Sequence, residues 1–324
     1  MITIAGAGLA GLACAYELAQ RGAEVTVYEQ SAAIGVTSAS RYAGGMLAPW
    51  CERESAEEDV ITLGRCAADW WANVTPVHSR GTLVVAPPRD RAELTRFARR
   101  TYGHRTVSGD EIAALEPDLA GRFSTGLFFA DEAHLDPRKA ICDLADAVSA
   151  CGADIRLGER APQQVDLDCR GMAAADRLPD LRPVRGEMAI LHCPEVEISR
   201  TMRLLHPRMP LYLVPRGDGV FMIGGTMIES SADRQVTLRS LTELLSAAFA
   251  LHPAFAEASV VETGAGLRPA FTDNLPRLVQ KTSTLFLNGL FRHGFLLAPA
   301  LASQAAQHLL SETPHEHHSQ RQTA

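Results

Sequence analysis

The sequence predicts an α/β fold with α+β elements, in which a parallel-stranded nucleotide-binding unit is interrupted by an antiparallel sheet. Three features predict it. The chain opens on a short apolar run, Ile2 to Ala5, followed at once by Gly6-Ala-Gly-Leu-Ala-Gly11 and a helical pattern. The middle is rich in hairpin signals, the clearest being Leu211 to Arg216 and Val220 to Ile223 around Gly217-Asp218-Gly219. A strand–helix pair, Thr284 to Leu287 and Ala298 to Leu310, returns near the end and suits a further parallel strand. The expected division is therefore discontinuous. Residues 1–75, 132–182 and 264–312 form the nucleotide unit, 76–131 and 183–263 the antiparallel-sheet unit, and 313–324 a disordered polar tail. His315, His317 and His318 in that tail read as solvated rather than metal-binding.

The first unit is the most legible. Gly6 makes a tight turn, Gly8 lets backbone approach a pyrophosphate, and Gly11 lets the helix pack on the sheet. The helix Leu9 to Gln20 points its free N–H groups and positive dipole end at the phosphates, with Ala7, Leu9 and Ala10 beside them. Leu9, Leu12, Ala13, Tyr16 and Ala19 recur at helical spacing, and Gly22 ends the helix. Glu24 to Tyr28 is the next strand, and Glu29, followed by Gln30, places a carboxylate where it can accept bonds from ribose hydroxyls. The unit is Rossmann-like. An acid at 29 argues against a 2′-phosphate, so FAD or NAD is favoured over NADP, and the fingerprint leaves those two open.

The remaining elements follow in order. Ser31 to Pro49 is a loop of small residues. Glu54 to Asn73 reads as one helix, Gly81 to Ala86 as a strand, Asp90 to Tyr102 as a helix, and Ser108 to Leu115 as a short capped helix. Gly126 to Phe129 is a strand, Pro137 to Cys151 a helix with proline in its first turn, and Val165 to Asp168 a strand. Arg185 to Leu191 is another strand, Thr237 to Leu251 a helix, and the strand Val260 to Gly264 leads into Gly266-Leu-Arg-Pro269.

Composition excludes several classes. A net charge of −7 offers no basic surface for nucleic acid. The longest apolar run, Phe295 to Ala302, is far too short to cross a membrane. Seven dispersed cysteines without a CxxC pair fit reduced thiols, and a chain opening on a buried strand is expected to carry no secretory leader. The expected location is therefore the cytoplasm, with no metal site.

Four stretches together resemble one family. They are the N-terminal fingerprint, Ala43-Gly-Gly-Met-Leu-Ala-Pro-Trp-Cys-Glu52, Leu181-Arg-Pro-Val-Arg-Gly-Glu-Met188, and the pair Gly266-Leu-Arg-Pro269 with Asn288-Gly-Leu-Phe-Arg-His-Gly-Phe-Leu-Leu-Ala-Pro299. Their order and spacing resemble the FAD-dependent D-amino-acid oxidase family over residues 1 to 310, and within it the glycine oxidases of thiamine biosynthesis. The resemblance decides FAD over NAD. It implies that Ser40 and the backbone from Gly44 through Gly45 to Met46 contact the flavin ring, with glycine allowing close approach. It implies a second contact from Arg292, His293, Gly294, Phe295 and Leu296, where a helix N-terminus stabilises negative charge on reduced flavin.

The same resemblance assigns the substrate. A guanidinium binds a carboxylate through two parallel bonds, and Arg268 matches the family's carboxylate-binding arginine. Tyr212 matches its helper. The Arg292 main-chain carbonyl matches an amine acceptor, and Met46 with Met227 match apolar positions limiting the pocket. The implied chemistry is oxidative deamination of glycine, or a similar small amino acid, by hydride transfer to flavin. The products are an imine that hydrolyses to glyoxylate and ammonia, and hydrogen peroxide from O2. No residue is assigned as acid or base, and the eleven histidines, His293 included, are given no catalytic role.

The chain also departs from the family. Val165-Asp-Leu-Asp-Cys-Arg-Gly-Met172 replaces an Ala-Ala-Gly stretch, although Gly171 still permits close approach. No cysteine follows Cys193 and no histidine lies near Ser38 to Arg41, so FAD is expected to be noncovalent. Relatives are often tetramers, which makes a homo-oligomer an expectation without an interface signature of its own. Alternatives are a sarcosine or D-amino-acid oxidase, a dehydrogenase passing electrons to a quinone or partner subunit, or a noncatalytic flavin-binding protein. Joint presence of Arg268 and Tyr212 argues against the last.

Overall fold

The fold is taken from a computed structural model that describes residues 1–206, 210–232 and 235–312. The tail 313–324 with its histidines lies outside the described residues.

Two sheets organise the chain. The six-stranded one runs, edge to edge, Arg277–Lys281, Thr284–Asn288, Leu167–Asp168, Ile2–Ala5, Val25–Glu29 and Asp154–Leu157. All neighbours pair in parallel except the first two, which form an antiparallel hairpin. Leu9–Gln20, Pro137–Ala150 and Gly294–Glu312 bury their apolar faces in the core around this sheet, with Leu12, Leu144 and Leu297 fully buried. Leu9–Gln20 begins as its glycines require. Gly6 has φ +95°, and a Cβ on Gly11 would run into the Gly6 carbonyl oxygen.

The nine-stranded sheet is antiparallel apart from one neighbour pair, Thr201–Leu204 with Thr82–Val85. Its longest-paired strand, Arg182–His192, lies next to one edge, with Ser259–Ala270 on one side and Val220–Gly224 on the other. Leu238–Leu251 covers one face, capped by the Thr237 hydroxyl, and shares a core with Leu191, Leu213 and Ile223. The predicted hairpin is present, with Leu211–Gly217 against Val220–Gly224. The helix Gly109–Leu115 also carries the predicted capping box, Ser108 and Glu111 each accepting from the other's backbone N–H.

Four expectations need correction. The single helix over 54–73 is broken into Glu58–Gly64 and Ala67–Ala72, preceded by the short Pro49–Glu52. Gly64 packs on Leu296, where a side chain would collide. The strand expected to stop at Gly264 continues to Ala270, so Arg268 projects from a paired strand opposite Val184. The strand expected over 165–168 shortens to Leu167–Asp168, because Val165 and Asp166 bond neighbouring strands irregularly. The closing helix starts at Gly294 rather than Ala298 and carries Pro299 inside it.

Candidate active site

One cavity of about 970 Å³ lies where the two sheets approach each other, near the upper end of the roughly 300–1,000 Å³ range of small-ligand sites. The structure brings together along it every sequence-selected residue except Gly11, which packs beneath the loop against Gly6. Met227 lies at the rim, 56% exposed, while Met46 is half-buried deeper in.

The nucleotide end is built from backbone. Gly8 caps Leu9–Gln20 without a side-chain oxygen, so the first helical N–H groups face the cavity. A Cβ on Gly8 would stand 3.5 Å from Ser38 Oγ, inside the cradle that a phosphate would use. Glu29 accepts from the N–H groups of Ala7 and Ser31, both at 2.9 Å, which fixes its carboxylate beside the turn. Gly171, at φ +58° with nothing near its missing side chain, lines the same stretch and is held by Asn288 Nδ2 at 3.0 Å. These features fit a dinucleotide.

The Gly44-Gly45 loop leads from this end to the part of the cavity lined by Tyr212 and Arg268. Gly45 has φ +73° and its carbonyl accepts from Leu135 N–H, and a side chain there would strike the Leu135 carbonyl oxygen. Arg216 clamps the loop from behind, donating to Gly44 O at 2.8 Å and Leu135 O at 3.1 Å. Burial pushes its pKa down to about 10, so it stays a cation at neutral pH.

Tyr212 lies four residues earlier on the same strand. Its ring is flanked by Gly44 and by Gly224-Gly225, where added Cβ atoms would come within 2.9, 2.6 and 2.5 Å of it. Burial raises its phenol pKa against the opposing pull of Arg268, leaving a neutral O–H. The Arg268 guanidinium lies over Gly186, whose missing side chain makes the room, and donates to Thr226 O at 3.0 Å. Among the described residues it has no carboxylate partner. Burial lowers its pKa, Tyr212 opposes that, and Arg292 adds to it.

Sequence reasoning gave Glu52 no role, although it closes one of the selected stretches. Its carboxylate is buried and sits among cations: Arg203 Nη2 at 3.3 Å on one oxygen, Arg292 Nη2 at 2.9 Å and His293 Nε2 at 2.8 Å on the other. His293 Nε2 sits between the Glu52 carboxylate and Arg292 Nε, which lies 3.1 Å from it, and its tautomer decides which of the two it bonds. Burial alone would raise the Glu52 pKa, but Arg292, Arg203 and His293 outweigh it and hold the acid well below its usual range. His293 is itself pushed down by burial and is neutral. The only signal in the sequence was a lone acid ending the apolar run Met46 to Cys51.

Comparison with known proteins follows this geometry. The family model described as FAD dependent oxidoreductase, DAO, matches residues 1–308. A Rhizobium etli protein provisionally named thiamine biosynthesis oxidoreductase ThiO is 56% identical over 317 residues, covering 96% of this chain and 97% of that one. A glycine oxidase of Bacillus licheniformis is 25% identical over 347 residues, covering 95% and 92%. Among solved structures, glycine oxidase from Geobacillus kaustophilus superposes with a TM-score of 0.81 at 22% identity, covering 97% of this chain and 95% of that chain.

Proposed function

The chain belongs to the DAO family of FAD-dependent oxidoreductases, and from that premise we propose that it oxidises glycine, or a similarly small amino acid, to supply thiamine thiazole formation. The overall reaction is glycine, O2 and water giving glyoxylate, ammonia and hydrogen peroxide. Similarity to the ThiO protein and to glycine oxidases supports it. The observation that carries it is Arg268, a half-buried guanidinium without a carboxylate partner among the described residues, beside Tyr212 in the cavity that holds the nucleotide loop.

Gly6, Gly8 and Glu29 would hold the nucleotide part of FAD, and the Gly44-Gly45 loop with Arg292 to Leu296 the ring. Bound FAD supplies the acceptor for the hydride that leaves the amino-acid Cα. Arg268 takes the substrate carboxylate through two parallel N–H bonds, and the Tyr212 O–H adds a third. That clamp turns Cα toward the ring side of the cavity, and the Arg292 carbonyl receives the amine. Met46 and Met227 restrict the space beyond Cα and favour a substrate without a side chain. Hydride transfer needs a neutral amine rather than a strong protein base, and neither His293 nor Glu52, which contact each other, is given a role as acid or base. The division into nucleotide residues 1–75, 132–182 and 264–312 and substrate residues 76–131 and 183–263 is part of this reading. Membership of the two sheets supports it, with Ser259–Ala270 running across the 263/264 boundary. No helix among the described residues is long and apolar enough to cross a membrane.

The test is anaerobic addition of glycine to the purified yellow protein. Bleaching of the flavin absorbance is expected, with colour returning on admission of oxygen. A flavin that stays oxidised with glycine but bleaches with sarcosine or a D-amino acid would move the substrate assignment.

A further inference from the structure

Arg203, Arg268 and Arg292 line the cavity together with Glu52, and Glu54, Glu93 and Arg96 also stand on its wall. Their pairing is uneven. Glu52 gives one oxygen to Arg203 and the other to Arg292, and among the described residues Arg268 has a carbonyl contact alone. Arg268 and Arg292 also meet consecutive residues. Arg268 Nη1 donates to Thr226 O at 3.0 Å, and Arg292 Nη1 lies 3.7 Å from Met227 Sδ. Both cations therefore face the space that one small ligand would fill, and each is near enough to feel the other's charge.

We infer that Glu52 restricts this site to substrates with a single carboxylate. By pairing with both Arg292 and Arg203 it leaves Arg268, among the described residues, as the one guanidinium of the three without a carboxylate partner. A second carboxylate on the substrate would meet Glu52 instead of a free cation, a like-charge contact at short range in a partly desolvated cavity. Zwitterionic glycine brings one carboxylate and meets no such penalty. Glu52 is thus a specificity-determining residue, acting through its own charge and its ion pair with Arg292 and not on the reacting atoms. The inference deepens the oxidase reading and rests on it.

Glu52→Gln keeps the size and the accepting oxygen but removes the charge, which frees Arg292 for a second anion. The same chemistry applied to iminodiacetate breaks one C–N bond: iminodiacetate, O2 and water give glycine, glyoxylate and hydrogen peroxide. The experiment uses FAD-loaded wild type, Glu52→Gln and the double variant Glu52→Gln/Arg292→Met. Acetate, malonate and succinate are titrated against the flavin spectrum, and kcat/KM is measured with glycine and with iminodiacetate. Wild type should bind acetate more tightly than either dicarboxylate. Glu52→Gln should shift the malonate-to-acetate affinity ratio at least tenfold toward malonate and raise the iminodiacetate-to-glycine kcat/KM ratio similarly, and the double variant should reverse both. Unmoved ratios in a Glu52→Gln protein that retains FAD would overturn the inference. If that variant does not fold, Arg292→Met tests the idea in the opposite sense. Malonate affinity should then fall at least fivefold more than acetate affinity, and equal losses would overturn it. Wild-type flavin that glycine does not bleach would remove the oxidase reading itself, whatever the anion ratios.

Discussion

Half-buried Arg268 and fully buried Glu132 are ionisable side chains whose removal should have opposite effects. Arg268 is held over Gly186 with its fork open, so Arg268→Ala should keep the protein yellow but weaken acetate binding by about 2–5 kcal/mol, the usual cost of deleting one partner of a desolvated charged pair. Arg268→Lys should recover only part of this, because an ammonium cannot make two parallel bonds. Spectral titration with acetate checks both, and unchanged affinity would take Arg268 out of the site. Glu132 is 0% exposed; its Oε1 accepts from Cys51 N–H at 2.7 Å, and its Oε2 has no partner among the described residues. Burial raises its pKa to about 7. The sign follows from linkage: the folded state keeps a proton that the unfolded state has lost above about pH 4.3. The stability this group contributes is therefore complete below that pH and lost as pH rises through about 7. Glu132→Gln cannot ionise, so it should melt close to wild type at pH 5 and above it at pH 8, by up to about 3 kcal/mol. Melting curves at the two pH values decide this, and a pH-independent difference would mean that Glu132 is already ionised when folded.

Helix ends explain what the sequence reading missed at the next scale. Proline is tolerated in a first turn, so Pro299 suits a helix that starts at Ala298. The helix instead begins at Gly294, and Pro299 then sits where its N–H should bond the Phe295 carbonyl. That carbonyl is not left bare: the Trp71 indole N–H donates to it at 2.8 Å from a fully buried position. A distant tryptophan makes the earlier start possible, and local pattern cannot show it. The two residues should be coupled. Trp71→Phe should destabilise by about 2–4 kcal/mol, through an unsatisfied buried carbonyl and lost volume. Pro299→Ala in that background should restore about 1 kcal/mol by supplying the missing donor. Denaturant melts of both singles and the double measure the coupling, and simple additivity would mean that the proline does not expose the carbonyl. The same distinction runs through the other elements. The glycine turn, the capped helix Gly109–Leu115 and the Gly217-Asp218-Gly219 hairpin were legible because their determinants are adjacent in sequence. The split of 54–73 was not, because Gly64 is set by Leu296.

At the scale of the molecule, the cavity is where the two sheets are joined, and its legibility follows the separation of its parts. Gly6 to Glu29 signals nucleotide binding by itself, whereas Glu52 takes its meaning from Arg203, Arg292 and His293, which only the fold brings near. Recognition of the family selected Arg268 and Tyr212, and no periodicity could have paired them. The cavity wall includes Gly6 to Ala10, the loop around Gly44, Leu211-Tyr212, Leu267 to Pro269 and Asn288 to Leu296, so a bound flavin would touch segments from both sheets at once. A ligand that binds only the folded state stabilises it by roughly 4 kcal/mol at a thousand times its Kd. Stripping FAD should therefore lower the melting temperature, and the lost protection should not stay within the glycine turn. Hydrogen exchange on the stripped and reloaded protein should show Leu9–Gln20, Leu211–Gly217 and the start of Gly294–Glu312 losing and regaining protection together. If Leu9–Gln20 alone responds, FAD is held by the nucleotide unit and the second sheet closes over the site without depending on it.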